Sequence, residues 1–379
     1  MSGEWKEYSL EDLLSYEQPT PYIVESTEYD DSFETPVLTA GSSFILGYTD
    51  ETDGIYNQVP VIIFDDFTTA SKYVNFPFKV KSSAMKILTA NKELVLPKFI
   101  YYRMQTINFE HSTHKRYWIQ QYSKIKVEIP SLSEQKRIVN KIEELFSELD
   151  SAVETLKKTK EQLAVYRQSV LKEAFESISD TSILVNLAER IFDGPFGSNL
   201  KSIDYINEGI RVVRLENLKE GWFDDSKQSF VSIEKYESIK NHTVYPSDLI
   251  MSTFISDSIK VCQMPEYIKF AVNKADCIGI RLKEDVVEKK YVLYYLLSRK
   301  AYVDLEHQIH GATRPRVNTT QIKQLEIPIC SKKEQKKIVS QIESRFTICE
   351  NIEKTVNEAL IQVDAMRQSI LKKAFEGDL

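Results

Sequence analysis

Long hydrophobic runs are missing from this 379-residue chain. The longest uninterrupted apolar stretch is YVLYYLL, residues 291–297, far short of the roughly 20 residues a helix needs to cross a bilayer. The opening MSGEWKEYSLEDLL carries four acidic residues and no apolar stretch, so neither a signal peptide nor a membrane span is expected. Cysteine is scarce as well. Cys262, Cys277, Cys330 and Cys349 all lie in the second half and never in Cys-x-x-Cys spacing, which suits reduced thiols in a cytoplasmic protein and argues against a disulfide framework or zinc.

Catalytic signatures are also absent. There is no Gly-x-Gly, no Walker A loop and no convincing nuclease cluster of Asp with Asp/Glu-x-Lys. The Asn/Asp-Pro-Pro-aromatic tetrad of an adenine methyltransferase is approached only by NFPF at 75–78, where Phe76 stands in place of a proline. HSTH (111–114) and HQIH (307–310) repeat a His-x-x-His spacing, but neither has a third ligand nearby. The expectation is a non-catalytic protein with no cofactor and no metal.

Positive charge is short at the start: residues 1–66 hold one basic and 15 acidic side chains. Residues 67–130 reverse this, with 11 basic and three acidic. The net charge of −7 argues against a nucleic-acid binder working alone, while the segregation permits a basic face within an acidic total.

What the chain does have is a repeat. Residues 134–176 align with 334–376 without a gap, and 18 of 43 positions are identical: eight of 13 at the start, two of 20 in the middle and eight of ten at the end, RQSVLKEAFE against RQSILKKAFE. The middle keeps only a pattern. Ile142, Leu145, Leu149, Ala152, Leu156, Thr159, Leu163, Tyr166 and Val170 alternate spacings of three and four, as do Ile342, Arg345, Cys349, Ile352, Val356, Ala359, Val363, Met366 and Ile370. That is a heptad seam. With no Gly or Pro before Gly377, each segment predicts one helix of about 43 residues, roughly 65 Å long. Each is the natural partner of the other, and an antiparallel pair spares the connecting chain a full return trip.

The expected fold is therefore α+β: two mixed α/β domains at opposite ends of a long antiparallel two-helix coiled coil, related by a pseudo-twofold tandem repeat. The boundaries are 1–130 for the first domain, 131–176 for the central helix, 177–330 for the second domain and 331–379 for the C-terminal helix. The two domains share an order of strands, helix, polar basic loop and a closing Ile-Pro, at 129–130 and 327–328.

At the helix ends Arg167, Gln168, Lys172 and Phe175, with Arg367, Gln368, Lys372 and Phe375, are kept in both copies, and most are polar residues off the seam. A partner bound twice explains their retention; a relic of gene duplication is the plainer alternative.

Block, Ile-Pro, Glu-Gln-start helix, then the same again, together with DGPFGSNLK (193–201) and HGATRPRVN (310–318), resembles the specificity subunit of type I restriction-modification systems over nearly the whole chain. The first block lacks its own DGPFGS. The resemblance implies two target-recognition domains, each reading half of a split, asymmetric double-stranded DNA site. It also implies helices that set the spacing and dock two methyltransferase (modification) subunits; restriction or translocase subunits are further candidates for the assembly.

DNA reading needs cations and amides for phosphates and directed donors for base edges. Arg314 and Arg316, two apart around Pro315 with Thr313 before them, are the first candidates, and Lys115, Arg116 and Tyr117 hold the matching place in the first block. Gly194, Gly197 and Ser198 predict a tight turn with Lys201 behind it. Thr68, Thr69 and Lys72 complete the set. Two other classes compete: a modification enzyme with a divergent cofactor site, marked by S-adenosylmethionine binding, and a coiled-coil adaptor, marked by an assembly that enriches no DNA sequence.

Overall fold

A computed structural model describes residues 5–41, 43–110, 116–307 and 316–378. It divides into two compact units, Met1–Leu156 with Asn357–Leu379, and Lys157–Val356. Two 45-residue helices, Leu132–Glu176 and Lys332–Glu376, each begin in one unit and end in the other. Ser131 and Ser331 start them by accepting the amides of Glu134 and Glu334 (3.4 and 3.3 Å), and left-handed Gly377 (φ 85°) stops the second.

The first unit is built on a four-stranded sheet in the spatial order Leu14–Glu17, Met85–Ala90, Val61–Asp65, Ser71–Val74. VIIFD is apolar on both faces because both are covered: Ile62 and Phe64 enter one core, with Phe99 and Trp118, while Val61 and Ile63 enter another, with Tyr56 and Phe78. A three-stranded sheet pairs Thr35–Leu38 in parallel with Lys79–Val80, and Lys6–Ser9 pairs with Lys126–Ile129.

The second unit repeats this plan. Its four-stranded sheet runs Ala188–Phe192, Cys277–Leu282, Leu249–Ile255, Ile259–Gln263, the same order with different letters. Leu249 and Met251 face one core and Ile250 the other. The parallel pair is Ile210–Val213 with Ala271–Asn273, and Thr181–Ile183 pairs with Glu326–Pro328.

Within each unit the long-helix segments run antiparallel. Arg367 pairs with Asp150 in the first, and Arg167 with Glu353 (2.9 Å) and Arg345 with Glu173 (2.6 Å) in the second. The stripe Ile142, Leu149, Leu163, Val170 and Ile342, Cys349, Val356, Val363 is buried as the heptads predict. The second stripe departs from the expectation. Ala152, Tyr166, Ile352 and Met366 are exposed, and Val153, Arg167, Glu353 and Arg367, one residue on, take the inward positions. Val153 and Arg167, like Glu353 and Arg367, lie two heptads apart, so the seven-residue period is kept and the seam takes the other flank of the buried stripe.

The helix ends close the cores of the units in which they finish. Phe175 lies edge-on to Tyr291 and Tyr295 (5.2 Å each), and Phe375 edge-on to Phe99 (5.3 Å) under the Arg103 guanidinium. The helix beginnings do the same by hydrogen bonding. Gln135, fully buried, accepts the Leu96 amide (2.8 Å) at the start of helix Pro97–Met104, and Gln335 accepts the Glu288 amide (2.8 Å) at the start of helix Lys289–Leu296.

Candidate nucleic-acid interface

In the second unit three chain segments emerge at one end of the four-stranded sheet. Phe192 is opposite Gly279 and Ser252 opposite Cys277, so the loop after Phe192, the turn before Cys277 and the end of strand Leu249–Ile255 are neighbours. Gly194 is required there: a Cβ would sit 2.1 Å from the Lys274 carbonyl carbon. The tight turn predicted from DGPFGS is formed by residues 196–199, closed by the Asn199 amide on the Phe196 carbonyl (2.8 Å). Gly197 and Ser198 lie at its exposed tip, a Cβ on Gly197 would meet nothing within 4 Å, and Phe196 is 66% exposed. Lys201 is exposed just beyond it.

Asp193 and Asp276 hold these segments together. The Asp193 carboxylate receives the amides of Gly194 (2.7 Å) and Asp276, and burial raises its pKa above the usual carboxylate range despite those bonds. Asp276 is left-handed (φ 69°), its carbonyl accepts the Thr253 amide (2.9 Å), and its Oδ1 accepts the Thr253 hydroxyl (3.2 Å). Arg316 arrives on the same edge through a bridge to Phe254; its guanidinium lies 4.2 Å from the Phe254 ring centroid and 3.6 Å from Asp276 Oδ1. Of the predicted loop, Thr313 and Arg314 lie outside the described residues; Arg316 is half exposed.

The first unit places its candidates around the equivalent strand end. Asp65 Oδ1 accepts the amides of Phe67 (2.9 Å) and Thr68 (2.8 Å), and Thr69 is left-handed (φ 57°), which presents Thr68 at an exposed hairpin tip with the half-buried Thr69 beside it. Lys72 follows opposite Ile63 on the return strand. Asp66 ties in the basic loop: its carbonyl accepts the Tyr117 amide (2.9 Å) and its Oδ1 the Trp118 amide (2.8 Å). Its other oxygen faces Lys86 Nζ at 3.3 Å in a pair with both side chains 1% exposed. Arg116 is exposed beside this anchor, and Lys115 lies outside the described residues. Tyr117, expected at the interface, has its ring in the core against Phe109, with 1% exposure, because the register that bonds Asp66 turns it inward. Asp66 and Asp276 were missed by sequence reasoning. In VIIFDDF the signal was present: a carboxylate directly after a fully buried strand has to be satisfied locally.

At the helix ends, Gln168 accepts the Arg299 amide (2.9 Å) and donates to the Leu297 carbonyl (3.0 Å), while Gln368 and Lys172 are exposed and Lys372 lies 3.8 Å from Glu376. Gln168, Lys172 and Phe175 line a largely apolar cavity of about 800 Å³ with Val165, Tyr295 and Val303. Val165 (71% exposed), Ile348 and Ile352 leave further apolar surface on the helix segments of the second unit, and Ile361 and Met366 on those of the first. Among the described residues no three His, Cys, Asp or Glu side chains form a metal-binding group, and no helix is long and apolar enough to cross a membrane.

Residues 2–164 and 205–362 match a family model described as type I restriction modification DNA specificity domain. The specificity subunit of the Escherichia coli type I restriction enzyme EcoR124I/EcoR124II is 46% identical over 185 residues, 44% of this chain and 44% of that protein, so the alignment spans less than half the length of that relative. The MjaVIII specificity subunit of Methanocaldococcus jannaschii is 20% identical over 99% of this chain and 93% of its own length. Among solved structures, the HsdS subunit from Thermoanaerobacter tengcongensis superposes with TM-score 0.54 at 17% identity over 99% of this chain and 97% of that one. A chain from a study of complex assembly and conformational transition of the type I R-M system gives 0.69 at 16% identity, over 100% and 98%. At these identities the structural likeness concerns the fold.

Proposed function

Because the chain belongs to the type I restriction-modification DNA specificity family, we propose that it is the specificity subunit of such a complex, in which each unit reads one half of a bipartite, asymmetric DNA site. It performs no chemistry itself. Its partners are double-stranded DNA and two modification subunits, and the long helices set the distance between the half-sites.

One observation carries the reading: two units share a strand order yet present unlike loops at the same sheet end. A common scaffold with different exposed side chains is what reading two different half-sites requires. In the second unit Arg316, Lys201 and the 196–199 turn supply donors. In the first, Arg116, Lys72 and the Thr68–Thr69 tip do so, with Tyr117 as support from beneath. Docking of modification subunits falls to the helix ends, where Lys172 and the apolar cavity beside it, and Gln368 and Lys372 in the other copy, stay accessible. Arg167, Arg367, Phe175 and Phe375 shape that surface through their own internal contacts.

The test is to map methylated adenines genome-wide in cells with and without this chain, and with a variant lacking seven residues from each long helix. A two-part motif that depends on the chain, with a shorter gap and unchanged halves in the variant, is expected. Absence of any chain-dependent motif refutes the specificity role; an unchanged gap refutes the ruler.

A further inference from the structure

We infer that Arg316 is a guanine-reading side chain of the second unit and that Asp276 and Phe254 are the positioning residues that aim it. The inference rests on the DNA-specificity reading above and adds which residue reads, and what.

Arg316 is constrained at every level. Its backbone bridges Phe254 in antiparallel register, and the next amide, Val317, donates to the Thr253 carbonyl at 2.9 Å with Val317 itself buried. One face of the guanidinium lies on the Phe254 ring at 4.2 Å, and Nη1 is 3.6 Å from Asp276 Oδ1. The carboxylate is itself fixed. Thr253 donates to it from its hydroxyl (3.2 Å), the Asp276 carbonyl takes the Thr253 amide (2.9 Å), and the Asp276 amide donates to the half-buried Asp193 carboxylate. Asp276 keeps a left-handed backbone (φ 69°), a conformation that costs a non-glycine residue some stability, while making these three bonds.

This arrangement suits a base edge better than a phosphate. A phosphate contact needs only a nearby positive charge, gains little from a fixed orientation, and is opposed by a carboxylate a few ångströms away. A base contact needs the reverse: a planar fork held in one direction. With Nη1 turned to Asp276, the fork of Nε and Nη2 remains to meet two acceptors side by side. Guanine presents that pair at N7 and O6, whereas adenine offers one acceptor beside an amino donor and thymine one acceptor beside a methyl group. Lysine has no fork, so Arg316→Lys keeps the charge and removes the proposed reading.

The experiment uses the full chain assembled with its modification subunits. Binding is measured on a randomised duplex library and then on single-substitution duplexes at several salt concentrations. A wild-type assembly that selects no sequence overturns the specificity reading itself. If it selects one, Arg316→Lys is expected to lower discrimination at one guanine of one half-site by about tenfold or more, leaving every other position and the other half-site intact. Asp276→Asn should relax the same position by several-fold without weakening non-specific DNA binding, since it removes a negative charge. Undiminished guanine preference in Arg316→Lys overturns the inference. So does an Arg316→Ala variant that weakens all sequences by one common factor while the salt slope drops by about one, the signature of a phosphate contact.

Discussion

Replacing Gln335 with leucine removes a side chain of similar size together with two hydrogen bonds that link a long helix to the domain it supports. Gln335 is fully buried; its Oε1 accepts the Glu288 amide and its Nε2 donates to the Cys330 carbonyl, both at 2.8 Å. Glu288 caps helix Lys289–Leu296 without any capping bond from its own side chain, so the glutamine of another helix does that work. Gln135 is the counterpart, bonded to the Leu96 amide (2.8 Å) and to the carbonyls of Leu94 and Pro130 (2.9 Å each). A buried polar group left unsatisfied costs about 1–3 kcal/mol. Two orphaned groups in Gln335→Leu therefore cost roughly 3 kcal/mol, a factor of about 10² in the opening equilibrium, and three in Gln135→Leu cost somewhat more. Amide hydrogen exchange on the full chain reads this locally: protection of residues 288–296 should fall about a hundredfold in Gln335→Leu while residues 96–104 are unaffected, and the pattern should invert in Gln135→Leu. Protection changed by less than about threefold in both would refute the view that this glutamine, rather than a general surface preference, explains the Glu-Gln start of both helices.

The helix ends give a second separation of roles. Phe175→Ala deletes a ring held between Tyr291 and Tyr295 and should destabilise the second unit by about 3–5 kcal/mol in denaturant titrations, whereas Lys172→Ala, exposed on the cavity rim, should leave stability within about 0.5 kcal/mol and weaken capture of modification subunits. The opposite assignment of the two effects would show that the repeated decamer is a partner surface throughout. Gly194→Ala forces a Cβ to 2.1 Å from backbone and should abolish recognition of one half-site while sparing the other; Gly197→Ala, with open space around it, should leave folding unchanged. Equal effects of the two substitutions on stability, by thermal melting, would contradict the packing described for the loop.

The large-scale plan was legible because it is written in patterns that repeat. Two helices with one register, antiparallel pairing and two domains with a shared element order all follow from periodicity and connectivity, and the strand order of the two sheets agrees with the rhyme between blocks. The retention of Arg167 and Arg367 was not legible. Each pairs with a carboxylate far along the chain, Glu353 and Asp150, separations of 186 and 217 residues that no local window contains. Tyr117 shows the same limit at smaller scale. A tyrosine beside two cations reads as an interface residue until the hydrogen bond from its backbone amide to the Asp66 carbonyl fixes which way it faces.

The acidic total of the chain takes on a different meaning once those carboxylates are placed. Asp66 and Asp193 receive backbone amides and Asp248 pairs with Arg281 at 2.7 Å, so these carboxylates act as internal fasteners. Asp66 and Asp248 are nearly buried, which confines their charge to the partners that touch them. Net charge counts such groups at full weight although an approaching phosphate meets little of them. For the function proposed above, the relevant quantity is the charge left exposed at the sheet ends, where Arg116, Lys201 and Arg316 are exposed. A net charge of −7 is a sum over the whole chain and is compatible with cations gathered at the sheet ends.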